Sequence, residues 1–233
     1  PITCPTDPAE YTSESQVTIS AYSWLCAYAQ DNAGNAAVSK PVEIKIDTTE
    51  PSISFRDANR WINVPTTPTL DCTDDLSGCD VRSYLYKTYD SNPGRCSNNI
   101  NDYTRNRQIL QSSKWLCGYA EDNAGNGAFS EPAEYKIDIE QPQVFVGKSP
   151  STVKNVLDKA VIHCIDYISD CNYNSLRFYV EYTKINRCPE DINAYTPATS
   201  ITLTDYSWVC GYAEDNAGNA AVSDPVEFPL QAR

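Results

Sequence analysis

Trp115-Leu-Cys-Gly-Tyr-Ala-Glu-Asp-Asn-Ala-Gly-Asn126 decides how this chain is read, because it occurs three times. Its counterparts are Trp24-Leu-Cys-Ala-Tyr-Ala-Gln-Asp-Asn-Ala-Gly-Asn35 and Trp208-Val-Cys-Gly-Tyr-Ala-Glu-Asp-Asn-Ala-Gly-Asn219. The shared cysteines, Cys26, Cys117 and Cys210, lie 91 and 93 residues apart. A fixed internal period marks a tandem array, and a unit of about 92 residues is the size of a small β-sandwich. Within the motif, Trp115, Cys117 and Tyr119 would face one side of a strand and Leu116, Gly118 and Ala120 the other. Asp-Asn-Ala-Gly-Asn then reads as a hairpin, with Gly34, Gly125 and Gly218 at positive φ.

Other landmarks keep the same phase. Cys4, Cys96 and Cys188 each precede a tyrosine (Tyr11, Tyr103, Tyr195) by the same interval. Pro41, Pro132 and Pro225 follow the glycine turn and suit a strand start, where a missing N–H is harmless. Val17-Thr-Ile19, Ile201-Thr-Leu203 and Val42-Glu-Ile-Lys-Ile46 alternate apolar with polar, as half-buried strands do. No helical period is present. Lys45-Ile-Asp47 and Lys136-Ile-Asp138 lead into Pro51 and Pro142, which puts boundaries there. Residues 1–47 are expected to be the C-terminal half of a unit, and 48–139 and 140–233 complete units. Half a sandwich exposes an apolar face and an unpaired edge. Either preceding strands of a longer chain cover that face, or a second copy donates strands in trans.

The chain has 233 residues, 18 Lys plus Arg against 31 Asp plus Glu, and a net charge of −13. So acidic a surface repels phosphate backbones and anionic lipid, which argues against nucleic-acid partners. No apolar run approaches the roughly 18–20 residues of a membrane span. With neither a signal peptide nor an initiator Met, the chain reads as a mature product or a fragment.

Ten cysteines, no methionine and one histidine, His163, point to an oxidised, secreted protein. They also remove most Ser-His-Asp and Cys-His mechanisms. A full unit carries four cysteines, Cys72, Cys79, Cys96 and Cys117, then Cys164, Cys171, Cys188 and Cys210, and three connectivities are open. A bridge between sheets would join the first to the fourth. Parity favours first to second and third to fourth, because residues 1–47 hold only the third and fourth types, Cys4 and Cys26.

Taken together, the linker Asp47-Thr-Thr-Glu-Pro51, the loop Cys72-Thr-Asp-Asp-Leu-Ser-Gly-Cys79 and the turn Asp122-Asn-Ala-Gly-Asn126 resemble tandem bacterial Ig-like repeats of prokaryotic cell-surface and adhesin-type proteins. The resemblance implies an all-β fold of tandem Ig-like β-sandwiches with two disulfides per repeat. It implies a non-enzymatic, structural role at the cell surface: a segment of a stalk, fibre or adhesin. Its partners would be neighbouring repeats or other copies of itself, with a host-surface or glycan ligand engaged through regions outside this chain. The paired-Cys loop is also similar to that of sandwich modules beside glycan-processing enzymes, where the two loop cysteines bond to each other. Some arrays similar to this one hold calcium near domain junctions with linker and loop carboxylates. The matching residues are Asp47, Asp74, Asp75 and Asp138, with Asp122 and Asp215 near the turns. The plain alternative is that these residues are turn formers bonding their own backbone.

The third unit departs from the pattern. Its loop, Cys164-Ile-Asp-Tyr-Ile-Ser-Asp-Cys171, loses one Asp and the Gly, and its end, Phe228-Pro-Leu-Gln231, lacks the linker Asp. A site built there is expected to be weaker. Asp74 and Asp75 as a glycosidase pair are disfavoured, because neighbouring residues point apart and a catalytic cleft is not repeated along an array. Trp24, Trp115 and Trp208 read as core. Tyr11, Tyr84, Tyr86 and Tyr89 are candidates for an exposed sheet face that contacts glycan or another subunit. That would make the chain a carbohydrate-binding accessory module of a secreted enzyme, or a filament subunit completed in trans. No Asn-x-Ser/Thr sequon occurs.

Overall fold

A computed structural model describes residues 2–149 and 159–229, and the architecture is nearly all β. Leu230 and Gln231, part of the expected last strand, lie outside the described residues. All ten cysteines are paired: Cys4–Cys26, Cys72–Cys79, Cys96–Cys117, Cys164–Cys171 and Cys188–Cys210, as parity favoured.

Residues 2–47 supply four short strands, β1 (Ser23–Leu25), β2 (Tyr28–Gln30), β3 (Ala36–Val38) and β4 (Val42–Ile44). β1 pairs with β4 and β2 with β3. The second segment runs through β5 (Ser52–Arg56), β6 (Trp61–Ile62), β7 (Thr69–Thr73), β8 (Cys79–Tyr89), β9 (Lys114–Asp122), β10 (Gly127–Phe129) and β11 (Ala133–Ile137). β5 and β7 form one antiparallel sheet. In the other, β9 pairs with β8, β10 and β11, and β6 adds in parallel to β11. The third segment repeats the plan. β12 (Gln143–Ser149), β13 (Lys159–Ile165) and β16 (Ser200–Thr202) make one sheet. β14 (Cys171–Glu181), β15 (Thr196–Pro197), β17 (Ser207–Asp215), β18 (Ala220–Val222) and β19 (Val226–Phe228) make the other.

The repeated motif explains why β9 and β17 are central, because each is buried on both faces. Leu116 and Ala120 enter a core with Phe55, Leu70, Tyr86 and Tyr135 from both sheets. Cys117 and Tyr119 on the opposite face pack with Cys96 and Tyr103 into a second, smaller core. The third segment has the same two clusters, one around Val209, Ala213 and Phe178, the other around Cys210, Tyr212, Cys188 and Tyr195. The second core has its own roof. A single 3-10 turn, capped by Asp7, Asn99 or Asp191, precedes each of Tyr11, Tyr103 and Tyr195. Each tyrosine hydroxyl donates back to a carbonyl six residues upstream, on Pro5, Ser97 and Pro189 at 2.8, 2.6 and 2.8 Å. The third-to-fourth disulfide thus ties this roof to the central strand.

Gly34, Gly125 and Gly218 have φ of 91°, 93° and 92°, the left-handed turn their spacing required. β4, β11 and β19 each begin directly after the expected proline.

Three expectations change. Val17–Ile19 forms no strand. Its counterpart β16 is held by β13, and residues 2–47 contain no such neighbour. The motif tryptophans are not core: Trp115 and Trp208 are half-buried and Trp24 is 41% exposed. Trp115 and Trp208 sit near the start of β9 and β17, and none of the three belongs to a core cluster. The tyrosines proposed as an exposed face are not one. Tyr86 is core, Tyr84 and Tyr89 pack against the two clusters, and Tyr11 is tied down by its bond to Pro5.

Candidate metal centres

The five-residue turn organises the acidic groups. In Asp122-Asn-Ala-Gly-Asn126, Asp122 Oδ1 accepts from the N–H groups of Ala124 and Asn126 at 2.8 and 2.9 Å, and Oδ2 accepts from Asn126 Nδ2 at 2.7 Å. Asp215 does the same with Ala217 and Asn219. The turn-former reading therefore holds. A second arrangement is built on top of it.

The first Asn reaches the disulfide-closed loop. Asn123 Nδ2 donates to the Ser77 and Gly78 carbonyls at 2.9 and 3.0 Å, and Asn216 Nδ2 to the Ser169 carbonyl at 2.8 Å. The last Asn reaches the preceding segment: Asn126 Nδ2 donates to the Asp47 carbonyl at 3.1 Å and Asn219 Nδ2 to the Asp138 carbonyl at 2.9 Å. Each turn thereby collects three chain regions at one point. The result is two equivalent triads, Asp47–Asp74–Asp122 and Asp138–Asp166–Asp215, whose carboxylates each offer an oxygen within 4.8 Å of the others. One member comes from the end of the preceding segment. One is the Asp of Cys-x-Asp in the loop, and one is the turn Asp.

Of the sequence candidates, Asp47, Asp74, Asp122, Asp138 and Asp215 are all brought into these triads. Asp75 is exposed and lies outside. Asp166 was missed, although Cys164-Ile-Asp166 repeats Cys72-Thr-Asp74. The departures of the third loop thus leave its triad intact. Tyr167 replaces the uninvolved Asp75, and Asp170 at φ 63° adopts the left-handed conformation of Gly78 at φ 74°, which Asp tolerates better than most residues. Asp31 begins the same turn but belongs to neither triad.

Loop N–H groups also point at these carboxylates. Asp74 Oδ1 accepts from Leu76, Ser77 and Gly78, and Asp166 Oδ1 from Ile168 and Ser169. Asp47 accepts from Thr49 and Ser77, and hydrogen bonds led by Ser77 hold its carboxyl below the usual range. Burial pushes Asp122 up, but its bonds from Asn126, Ala124 and Gly125 outweigh this and leave it below the usual range. Both therefore stay ionised at neutral pH. Asp138 Oδ2, by contrast, is buried with no hydrogen-bond partner among the described residues.

The chemistry of the donors fits a hard divalent cation. Each triad offers carboxylate oxygen alone, with no imidazole or thiolate, which suits calcium, magnesium or manganese rather than zinc or copper. Clustered like charges, two of the three in the second triad about 1% exposed, repel one another until a counter-charge arrives. The orphaned Asp138 Oδ2 is an acceptor with nothing to accept from.

No family model matches the chain, and no curated protein is similar enough to count as a relative. No helix among the described residues is long and apolar enough to cross a membrane.

Proposed function

We propose that the chain is a structural segment of an extracellular cell-surface stalk, fibre or adhesin. It is built from tandem Ig-like β-sandwiches, and calcium clamps their junctions. In this reading residues 1–47 are the C-terminal half of a repeat, and 48–139 and 140–233 are complete repeats with two disulfides each. The observation that carries it is the recurrence of the triad. Each instance takes one carboxylate from the end of one repeat and two from the next, so a bound cation belongs to the junction rather than to either repeat.

Asp47, Asp74 and Asp122 would hold one ion and Asp138, Asp166 and Asp215 the other. A bound calcium supplies positive charge and coordination for about six to eight oxygens, the balance coming from carbonyls and water. The chain's own residues do the rest. The turn backbone orients Asp122 and Asp215, the loop N–H groups orient Asp74 and Asp166, and Asn126 and Asn219 hold the linker carbonyls against the next repeat. Stiff junctions and disulfide-pinned cores suit a spacer, in which each repeat contacts mainly its neighbours. Extracellular modules bind calcium at about 10⁻⁴–10⁻³ M, matching an environment in which five disulfides persist.

A second reading, a filament completed in trans, draws on the uncovered face of residues 2–47, where Val42, paired with Leu25 of β1, is 52% exposed. It needs a spare N-terminal half-repeat. The strands that would serve, β5–β8 and β12–β14, already pack against the other sheet of their own segment. Within residues 2–229 a donor would have to open a complete repeat, which favours the stalk reading.

Small-angle scattering of the chain with calcium and then with excess chelator tests the proposal. Calcium should narrow the distribution of molecular dimensions about an extended form, and chelation should broaden it. Identical profiles in the two conditions would sink the junction-clamp reading.

A further inference from the structure

Building on the calcium reading, we infer that the two junctions are not equivalent. The Asp138–Asp166–Asp215 centre takes the cation more tightly, and the junction it serves is the one whose order depends on the ion. The two centres differ at one atom. In the first triad, Ser77 N–H donates to Asp47 Oδ2 at 3.0 Å while also donating to Asp74 Oδ1 at 2.9 Å. Asp47 thus has both oxygens occupied, by Thr49 N–H and Ser77 N–H, and its carboxylate is bridged to the loop of the next repeat without any ion.

In the second triad, Glu140 N–H takes the place of Thr49 N–H on Asp138 Oδ1 at 3.0 Å. Ser169 N–H, the counterpart of Ser77, donates to Asp166 Oδ1 at 2.8 Å, and Asp138 Oδ2 is left without a donor among the described residues.

A polar oxygen that is buried and unpaired bears a desolvation cost that its hydrogen-bonded counterpart does not. A cation entering the second triad removes that cost. A cation entering the first must share or displace an N–H bond already made. The free-energy gain on binding is therefore larger at the second site. One further contact reaches the turn of the second centre. Asn63 Nδ2, in the second repeat, donates to the Gly218 carbonyl of the turn that carries Asp215 at 3.3 Å.

Calorimetric titration of the chelator-stripped full chain with calcium chloride tests this. Two steps are expected, separated by about tenfold or more in affinity, each tenfold being about 1.4 kcal/mol. Asp138→Asn and, independently, the half-buried Asp166→Asn should each remove the tighter step and leave the weaker. Asp47→Asn should do the reverse. Near-ultraviolet circular dichroism on each variant establishes that both repeats remain packed, and Asp166→Asn decides the matter if Asp138→Asn unfolds. Two steps of equal affinity, or loss of the tighter step in Asp47→Asn, overturn the inequivalence while leaving calcium binding intact. No heat at any concentration overturns the calcium reading and this inference together.

Discussion

Asn219 donates its side-chain amide both to Asp215 Oδ2, four residues back at 2.7 Å, and to the carbonyl of Asp138 at 2.9 Å, so one residue spans a turn and the end of the preceding segment. Asn126 repeats the arrangement on Asp122 and Asp47. Asn35 makes only the local half of it, to Asp31.

The three asparagines therefore predict a graded response. Asn219→Ala and Asn126→Ala each lose two bonds, one to a charged group, and should cost about 1–3 kcal/mol. They should also accelerate proteolysis near residues 138–141 and 47–50. Asn35→Ala loses only an exposed local bond and should cost about 0.5–1 kcal/mol or less. Chemical unfolding combined with mapping of the first cleavage site measures this. Equal effects at all three positions would mean that the longer-range bond contributes nothing.

The motif glycines predict a contrast between strain and crowding. Gly125 has φ 93° and open space where a Cβ would go. Gly125→Ala should therefore cost about 1–2 kcal/mol from the left-handed backbone alone. Gly118 has an ordinary backbone, but its Cβ would stand 2.5 Å from Leu70 Cδ1 and 3.2 Å from Phe55 Cζ, between the two sheets. Gly118→Ala must push core side chains aside, at about 1–3 kcal/mol or more, and should be the worse of the two. A Leu70→Ala background should relieve Gly118→Ala but not Gly125→Ala. Additive effects in that double variant would refute the steric account.

Much of this was open to sequence reasoning because the repeat multiplies each signal. Three glycines in one phase mark a positive-φ turn, and the count of third- and fourth-type cysteines in residues 1–47 favours the pairing found. Five of the six triad members stand out as acidic residues at the boundary, loop and turn. What stayed hidden depends on what lies opposite. Within their own loop Asp75 and Asp74 look alike, and only the comparison with Cys164-Ile-Asp166-Tyr167, or the side the loop presents, separates them. Asp166 was obscured because its neighbours Tyr167 and Asp170 break the motif, although the Cys-x-Asp spacing survives. Val17–Ile19 has a strand's alternation but no neighbour to pair with, and strand propensity without a ladder makes no strand. The outer face of the β12–β13 pair shows the same limit. Phe145, His163 and Ile165 occupy the positions of Ser54, Asp71 and Thr73 on β5 and β7, and a period-2 pattern alone does not announce that one repeat presents an apolar face where the other is polar.

The second core predicts an alkaline transition. Burial pushes Tyr103, Tyr119 and Tyr195 up to about 12, assisted at Tyr119 by its hydrogen bond to Glu121 and at Tyr195 by nearby Tyr179. Tyr212, its hydroxyl on Glu214, is raised further by the same causes. A group whose folded pKa lies above its unfolded value, near 10 for tyrosine, stabilises the fold fully below that unfolded value. The contribution is lost as pH rises through the folded one. Between about pH 10 and 12 the protein should therefore lose stability progressively. Absorbance near 295 nm should show an ionisation step well above pH 10 that coincides with loss of near-ultraviolet circular dichroism. Tyr103→Phe keeps the ring in the core and gives up the hydroxyl bonded to the Ser97 carbonyl. It should lower stability at neutral pH by about 0.5–1.5 kcal/mol and make the alkaline loss shallower. Ionisation of every tyrosine in one step near pH 10, with the fold intact, would contradict the burial of these rings against the Cys96–Cys117 and Cys188–Cys210 bridges.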